Sequence, residues 1–534
     1  MSNGSGATVQ AGHLSSPAVW KPSFNPWLIA ASVMFATFME VLDTSVANVA
    51  LPHIAGSLSA TNSESTWVLT SYLVSNAIVL PATNWLGHTF GRKRFLIVCV
   101  VIFTASSALC GAASSLEMLL IARVLQGAGG GALQPIAQAV LLESFPPEKR
   151  GSAMALYGMG IVVAPIIGPT LGGWITDNYS WRWIFYINVP IGIVAALMSH
   201  SFVEDPPYIR NQKPGRIDYI GFGLMALGLA ALQIILDKGQ ELDWFSSSFI
   251  TWAALMSAAA LITFVIWELR TRDPIVNLRV FANRNFAVGT ALIAVMGVVL
   301  YGTNALLPEL LQTLLGYPAL QSGLAVSPRG IGAVISMFIV GRLVGRIDGR
   351  YLVMFGFAVM AFSTHQLSDI NLEISMSSIV WPQVVSGLAI GFVFVPLTLL
   401  ATGTLTNEQM GNATGIFSLM RNLGGSFGIS GVTTMLARSA QVHQATLLSH
   451  LTPYDAAFRQ QLHELTSGLR TRLDPVTATQ TAYGMIYESV VTQANLLSYL
   501  DAFRVLAFLC FLACLAPVLF KKVKAKPGST PAMH

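Results

Sequence analysis

Two carboxylates stand three residues apart in FMEVLDTSVANVALP (residues 38–52), a stretch with no other charged side chain. At i and i+3, Glu40 and Asp43 share one face of any helix that carries them. Burial favours the neutral form of a carboxylate and a nearby guanidinium favours the charged form, so a movable cation switches its affinity for protons. Three arginines occupy comparable settings, Arg123, Arg329 and Arg421, each inside an apolar block. A charged side chain at mid-bilayer costs roughly 2.5–3.5 kcal/mol on insertion scales, so these five residues are candidates for function. Glu40, Asp43 and Arg123 form the expected proton-handling set. Arg329 and Arg421, with the nearby amides Asn304, Asn422 and Gln126, are the candidate substrate contacts, suited to an anion. Simple pairing within the bundle, or guanidinium bonds to freed backbone carbonyls, is the alternative reading for each charge.

The elements that must position these groups follow from composition. The chain has 534 residues, 53% hydrophobic and 10% charged, against about 25% charged in an ordinary soluble domain. The apolar residues come in blocks of about 18 or more, the length that crosses a bilayer. The blocks predict fourteen helical spans, at 27–52, 65–87, 94–112, 117–141, 151–175, 183–203, 217–236, 249–268, 284–310, 319–344, 351–368, 378–402, 411–437 and 501–520. An all-α polytopic membrane protein is therefore expected. The first 25 residues are polar with a single Lys21, so the first span reads as an uncleaved anchor.

Lys and Arg stay on the cytoplasmic side of short loops. With a cytoplasmic N-terminus, the inner loops hold Arg92, Lys93, Arg94, Lys149, Arg150, Arg210, Lys213, Arg216, Arg270, Arg272, Arg279, Arg284, Arg342, Arg346 and Arg350. The tails add Lys21, Lys521, Lys522, Lys524 and Lys526, whereas the short outer loops hold only Arg182 and Lys238. Both termini are thus expected in the cytoplasm, and the net charge of +5 is a topology signal that gives no reason to expect nucleic acid. With the first span running outward, Asp43 falls about 24 Å from its cytoplasmic edge. Arg123, entering from the other side, lies about 9 Å down. The two reach matching depth, which predicts an ion pair or a shared water network. Pro328 and Gly330 flank Arg329 and predict a local break in that helix.

The expected domains are a tail 1–26, a six-helix bundle 27–203, a linker with two extra spans 204–283, a second six-helix bundle 284–520 and a tail 521–534. The second bundle includes a long polar loop at 438–500, in which AAFRQQLHELTSGLRTRL and TAYGMIYESVVTQANLL have helical patterning. That loop reads as a solvated cap or as a docking surface for an extracytoplasmic partner.

No Gly-Lys-Ser/Thr phosphate loop occurs, and neither HEXXH nor GXSXG is present, so neither nucleotide-driven pumping nor a membrane enzyme is expected. No metal or organic cofactor is called for, and an ion gradient is the energy source left. The glycines of LLIARVLQGAGGGALQP (119–135) place Gly127 and Gly131 four apart as a close-packing face. GMGIVVAPIIGPTLGGW (158–174) does the same with Gly168, Gly172 and Gly173, beside Pro165 and Pro169. The four cysteines, Cys99, Cys110, Cys510 and Cys514, show no ligand spacing and read as small apolar residues.

Four stretches resemble, in order, the span motifs of the fourteen-span drug:proton antiporter branch of the major facilitator superfamily. They are LDTSVANVALP, ARVLQGAGGGALQP, APIIGPTLGGW and WRWIFYINVPIG (181–192). With LDKGQELDWFSS (236–247) and the long loop before the last span, the chain is similar to EmrB-type multidrug pumps. The resemblance implies two six-helix bundles rocking about a central site, and proton-driven export of lipophilic compounds, weak acids included. It also implies an inner (plasma) membrane location, a periplasmic adaptor and an outer-membrane channel, and a proton-coupling role for Arg123. NWLGHTFGRKR (84–94) departs from the superfamily's loop motif. It keeps Gly91, Arg92 and Lys93 but carries Asn84 where glycine is usual and His88 where aspartate is usual, which removes the carboxylate latch of that loop. A lone histidine there reads as solvated or as a pH-sensitive substitute. Transport of one specific metabolite and a non-transporting membrane scaffold are the competing functions.

Overall fold

The computed structural model describes residues 22–206, 218–452 and 454–521. Lys21, Arg210, Lys213, Arg216, Lys522, Lys524 and Lys526, cations of the expected cytoplasmic side, lie outside the described residues. Among those described there is no β-strand, only an isolated bridge between Val344 and Ile347.

The first half contains α1 (Pro26–Ser57), α2 (Asn62–Phe90), α3 (Arg92–Gly111), α4 (Leu116–Gly130), α5 (Leu133–Ser144), α6 (Arg150–Asn178), α7 (Trp183–Tyr186) and α8 (Asn188–Phe202). Two further helices follow, α9 (Tyr219–Lys238) and α10 (Ser248–Arg270). The second half contains α11 (Arg284–Thr313), α12 (Ala319–Val326), α13 (Pro328–Leu343), α14 (Gly349–Gln366), α15 (Met376–Thr402), α16 (Asn407–His450), α17 (Ala456–Leu469) and α18 (Pro475–Leu515). Several expected spans are pairs of helices in tandem: α4 with α5, α7 with α8, and α12 with α13. Among the described residues, eleven segments are long and apolar enough to cross a membrane. The short α14, and α2 and α16 with their many Ser, Thr, Asn and Gly residues, stand at the positions of the other three expected spans. Their polarity has a place to go, because α2 and α16 pack against each other where the halves meet. Asn76 and Thr83 of α2 and Asn412, Thr414 and Ser418 of α16 are buried, Asn76 against Glu40, Asn412 against Asn277 and Thr414 against Pro135.

Within each half the helices pack as a bundle, α1 against α6 and α8, and α11 against α16. The α9–α10 pair packs on itself and touches both halves through α2 and α16. Lipid-facing surface is evident on α10, where Phe249, Trp252, Leu255, Ile262 and Ile266 are exposed. Prolines inside α1, α2, α6, α11 and α15 do not end those helices. Neighbouring helices re-satisfy a backbone group that proline frees; the Ser45 hydroxyl of α1, for example, donates to the Pro165 carbonyl at 3.1 Å.

Two expectations need revision. The break at Pro328 is slight: Ser327, between α12 and α13, keeps helical backbone angles. The stretch 438–500 is not a loop. Residues up to His450 continue α16, and α18 begins at Pro475, with Asp474 capping its first turn. Of the two segments expected there, the first is α17, and the second is the start of a single 41-residue helix that includes the last span. Apolar patterning ends where apolar residues thin out, yet a helix leaving the bilayer needs only caps and a partner to continue.

Candidate functional site

Asp43 and Arg123 meet in the interior of the first half. The Arg123 Nη1 lies 2.6 Å from Asp43 Oδ2, and both side chains are essentially inaccessible to solvent. The carboxylate accepts two further bonds at Oδ1, from Gln126 Nε2 at 2.9 Å and Asn188 Nδ2 at 2.7 Å. Arg123 also donates from Nε to the Val68 carbonyl at 3.0 Å and from Nη1 to Gln126 Oε1 at 2.8 Å. Its guanidinium lies over the Tyr72 ring, 4.3 Å from the centroid. Asn188 is fixed in turn by a bond to Ser107 Oγ at 3.0 Å. Four elements thus converge on one buried ion pair, and the Arg123–Gln126 spacing puts both groups on one face of α4.

Glu40, one turn earlier on α1, belongs to a different network. Its Oε1 accepts from the Tyr72 hydroxyl and Asn76 Nδ2, both at 3.2 Å, and its Oε2 from Gln134 Nε2 at 2.6 Å. Among the described residues no cation contacts it directly. The Gln134 amide oxygen instead accepts a bond from Arg421 Nη2 on α16. A chain Glu40–Gln134–Arg421 therefore crosses from one half to the other. Thr414 on α16 donates to the Pro135 carbonyl at 3.2 Å, and Tyr157 stacks on Phe394 at 6.2 Å, so the crossing is packed as well as bonded.

Arg329 lies outside this chain. Only 1% of it is exposed, and Nη1 donates to Asn304 Oδ1 while Nε and Nη2 have no hydrogen-bond partner among the described residues. Asn422 sits next to Arg421 with its Oδ1 buried and without a hydrogen-bond partner among the described residues. Gln126 was expected among substrate contacts; it is fully buried and saturated by Asp43 and Arg123, which makes it part of the ion-pair network.

The small residues set how closely these helices approach. A Cβ added at Gly127 would fall 2.4 Å from the Tyr72 carbonyl, and one at Gly131 would fall 2.6 Å from the Asn76 carbonyl. At Gly168 it would meet Ser45 Oγ at 2.3 Å, and at Gly172 the Val46 side chain at 3.0 Å. Gly173 differs, with only Val49 at 4.0 Å.

At one end of the molecule Arg92 Nη1 lies 2.5 Å from Glu143 Oε2, both buried. Gly91 has φ +82°, a backbone state that side chains disfavour. Immediately after it, the Lys93 N–H donates to Asp205 Oδ1 at 2.7 Å. Two carboxylates from far along the chain, Glu143 and Asp205, thus bind Arg92 and the Lys93 N–H, although residues 84–94 carry no carboxylate themselves. His88 is not a solvated loop residue, since it is half-buried in the last turn of α2. The halves touch at this same end, where Ser152 Oγ reaches the Gly341 carbonyl at 3.5 Å and Asn84 lies against Gly411.

Sequence reasoning missed Tyr72, Asn76, Gln134, Asn188, Glu143 and Asp205. Uncharged amides in apolar blocks were the available signal for Asn76, Gln134 and Asn188, since an amide in a span needs a partner as a charge does. The cysteines are unpaired, three of them buried, and the described residues hold no group of metal-ligating side chains.

The Major Facilitator Superfamily sequence model matches residues 33–429. The multidrug export protein EmrB of Haemophilus influenzae is 41% identical over 485 residues, covering 90% of this chain and 94% of its own. The fatty acid resistance protein FarB of Neisseria gonorrhoeae is 39% identical over 441 residues, covering 83% of this chain and 86% of its own. The crystal structure of the human organic anion transporter MFSD10 superposes with a TM-score of 0.59 at 13% identity, covering 91% of this chain and all of that one, a likeness of fold.

Proposed function

The chain belongs to the major facilitator superfamily, and from that premise we propose that it exports lipophilic compounds in exchange for protons. One observation carries the proposal: two buried carboxylates on α1, one ion-paired to Arg123 and the other joined through Gln134 to Arg421 of the opposite half. Glu40 is the proton-carrying group in this mechanism. As a carboxylate it holds the Gln134 amide, which presents its oxygen to Arg421. Protonation removes the charge that fixes Gln134 and weakens the bridge between halves. Asp43 keeps Arg123 in place between α2 and α4, so that Tyr72, bonded to Glu40 and under the guanidinium, reports the state of one carboxylate to the other. Deprotonation on the opposite side restores the bridge, and the halves rock once per cycle.

Arg329, buried with two nitrogens free, and Asn304 form the proposed contact for weak-acid substrates; Arg421 and Asn422 extend it towards the halves' interface. The names of EmrB and FarB, a multidrug exporter and a fatty acid resistance protein, support lipophilic cargo with an acidic member. With the Arg92 end in the cytoplasm of the inner membrane, as the Lys and Arg bias suggests, the packed contacts there describe a conformation closed to the cytoplasm. The helical stalk made by the end of α16, α17 and the start of α18 then projects outward. Residues 438–450 alone extend it about 20 Å at the usual helical rise. It is the proposed docking surface for a periplasmic adaptor leading to an outer-membrane channel.

Purified protein in proteoliposomes, with an imposed pH gradient and a lipophilic dye, tests the coupling. The expected result is dye movement that stops with Glu40→Gln although dye binding persists. Gradient-driven movement at the unaltered rate in that variant would overturn the proposal.

A further inference from the structure

Glu268, in the last turn of α10, is 1% exposed, and among the described residues neither of its carboxyl oxygens has a hydrogen-bond partner. The Ile275 and Val276 N–H groups approach it without completing a bond. No cation of the described residues pairs with it: Arg270, Arg272 and Arg279 at this end are exposed, and Arg279 donates instead to the Leu269 carbonyl at 3.2 Å. Asp273 is exposed as well, and α2, packed on α9, carries a histidine, His88, in its last turn. What stands beside Glu268 is a second carboxyl. Asp218 caps α9, accepting from the Gly221 N–H at 2.8 Å, and its two oxygens accept from Trp267 Nε1 at 3.0 and 2.9 Å. Gly221 lies between the two acids: a Cβ there would fall 2.5 Å from Asp218 Oδ2 and 2.7 Å from Glu268 Oε1. The oxygens are therefore within the ~4–6 Å over which one charge acts strongly on another.

We propose that Glu268 is a further proton-binding site, a neutral acid whose O–H donates to the Asp218 carboxylate and so clasps the start of α9 to the end of α10. Burying an unpaired charge is far costlier than burying a neutral acid, and the Asp218 charge adds to that cost. A protonated carboxyl has one O–H to donate, and Asp218 is the acceptor within reach. Asp218 is the member that stays charged, because the bonds from Gly221 and Trp267 favour its ionised form. A proton needs no cavity, so the burial of Glu268 suits this ligand. The site also has a mechanical neighbour. Ile275 and Val276 are buried, and the next residue, Asn277, exchanges two bonds of 3.0 Å with the Asn412 side chain of α16. Loss of the proton places an unpaired charge under this segment and loosens it. The clasp is intact while Glu268 is neutral and is lost as pH rises and the proton leaves. It is separate from Glu40 and Asp43, and its argument is independent of the export reading.

Infrared difference spectra of the full chain in lipid nanodiscs, taken between neutral and alkaline pH, test this through the C=O stretch of a protonated carboxyl, which His88 cannot give. The unaltered chain is expected to lose such a band on alkalinisation, and Glu268→Gln to lack it. Amide exchange over 271–283, corrected for the intrinsic effect of pH, supplies a second readout. It is expected to quicken at alkaline pH in the unaltered chain and to keep its neutral-pH protection in Glu268→Gln, whose amide stands in for the neutral acid. Asp218→Asn removes the neighbouring charge and is expected to move both transitions to lower pH. Melting temperatures at neutral pH verify that both variants fold. The band is expected to persist in Glu40→Gln, so this site and the α1 carboxylates are read separately. A band indifferent to Glu268→Gln, or the same pH profile of exchange with and without that substitution, overturns the proposal. Protection that follows sodium or potassium concentration in place of pH marks a cation site and overturns it equally.

Discussion

The two carboxylates of α1 differ in what a loss of charge does. Asp43 accepts from Arg123, Gln126 and Asn188 at 2.6–2.9 Å, so neutralising it strands a buried guanidinium. Removing one partner of a buried pair costs about 3–5 kcal/mol. Asp43→Asn is therefore expected to lower the melting temperature markedly as well as to stop gradient-driven transport, and Glu40→Gln to stop transport with a smaller thermal change. Equal melting temperatures in the two variants would contradict the division of roles. Asn188→Leu leaves Asp43 one donor short, a cost of about 1–3 kcal/mol. Thermal unfolding in detergent measures it, and an unchanged midpoint argues that the bond contributes nothing. None of these partnerships was fixed by spacing along the chain alone: Asp43 and Arg123 could be matched by depth, whereas Asn188 is 145 residues from its carboxylate.

At the scale of the helix, glycine positions decide which neighbours can approach. Gly127→Ala drives a methyl into the Tyr72 carbonyl, and since backbone cannot yield as a side chain does, a loss of about 1–3 kcal/mol is expected. Gly173→Ala on α6 meets only ordinary contact and is expected to be neutral in the same assay. Destabilisation of equal size at both sites would show that distance is the wrong criterion. Helix ends can be tested too. Asp474 caps α18, and bonds from the Thr477 hydroxyl and N–H and from the Val476 N–H hold its carboxyl below the usual carboxylate range. A depressed value means the cap contributes at any pH above the ordinary unfolded value of about 4, and that contribution is lost as pH falls through the lower folded one. Amide exchange in the first turn of α18 is expected to show no pH-dependent opening from pH 7 to about 5 and to open below about 4. Asp474→Ala is expected to be open throughout. Exchange in the unaltered chain that opens already near neutrality would remove the cap from the account of why this helix starts there.

At the scale of the molecule, the two halves pack through α6 on α13 and α2 on α16, and the polar crossings include Arg421 to Gln134, Thr414 to Pro135 and Ser152 to Gly341. Arg421→Met deletes the polar crossing while retaining apolar bulk. It is expected to speed opening at the Arg92 end, read as increased alkylation of a cysteine placed at Ser152; alkylation at the original rate would separate Arg421 from closure. The stalk makes an independent test. Because His443 and Asp501 lie 2.7 Å apart, the segment beyond them can be replaced by a short Gly/Ser turn. Dye binding is expected to survive this and adaptor capture to fail, whereas loss of both favours a scaffold. The sequence by itself determined the membrane class, the positions of most of the apolar helices, and the five charges that have no business in lipid. These follow from composition summed over local windows and from the cost of burying charge, which need no knowledge of neighbours. Only the tertiary structure decided that Glu40 and Asp43 have different hydrogen-bond partners, that Glu143 and Asp205 bind Arg92 and the Lys93 N–H, and that α16 and α18 run on unbroken into the polar stretch 438–500. Each of those depends on partners brought together from distant parts of the chain, and a hydrogen bond has a range of about 3 Å whatever the sequence separation.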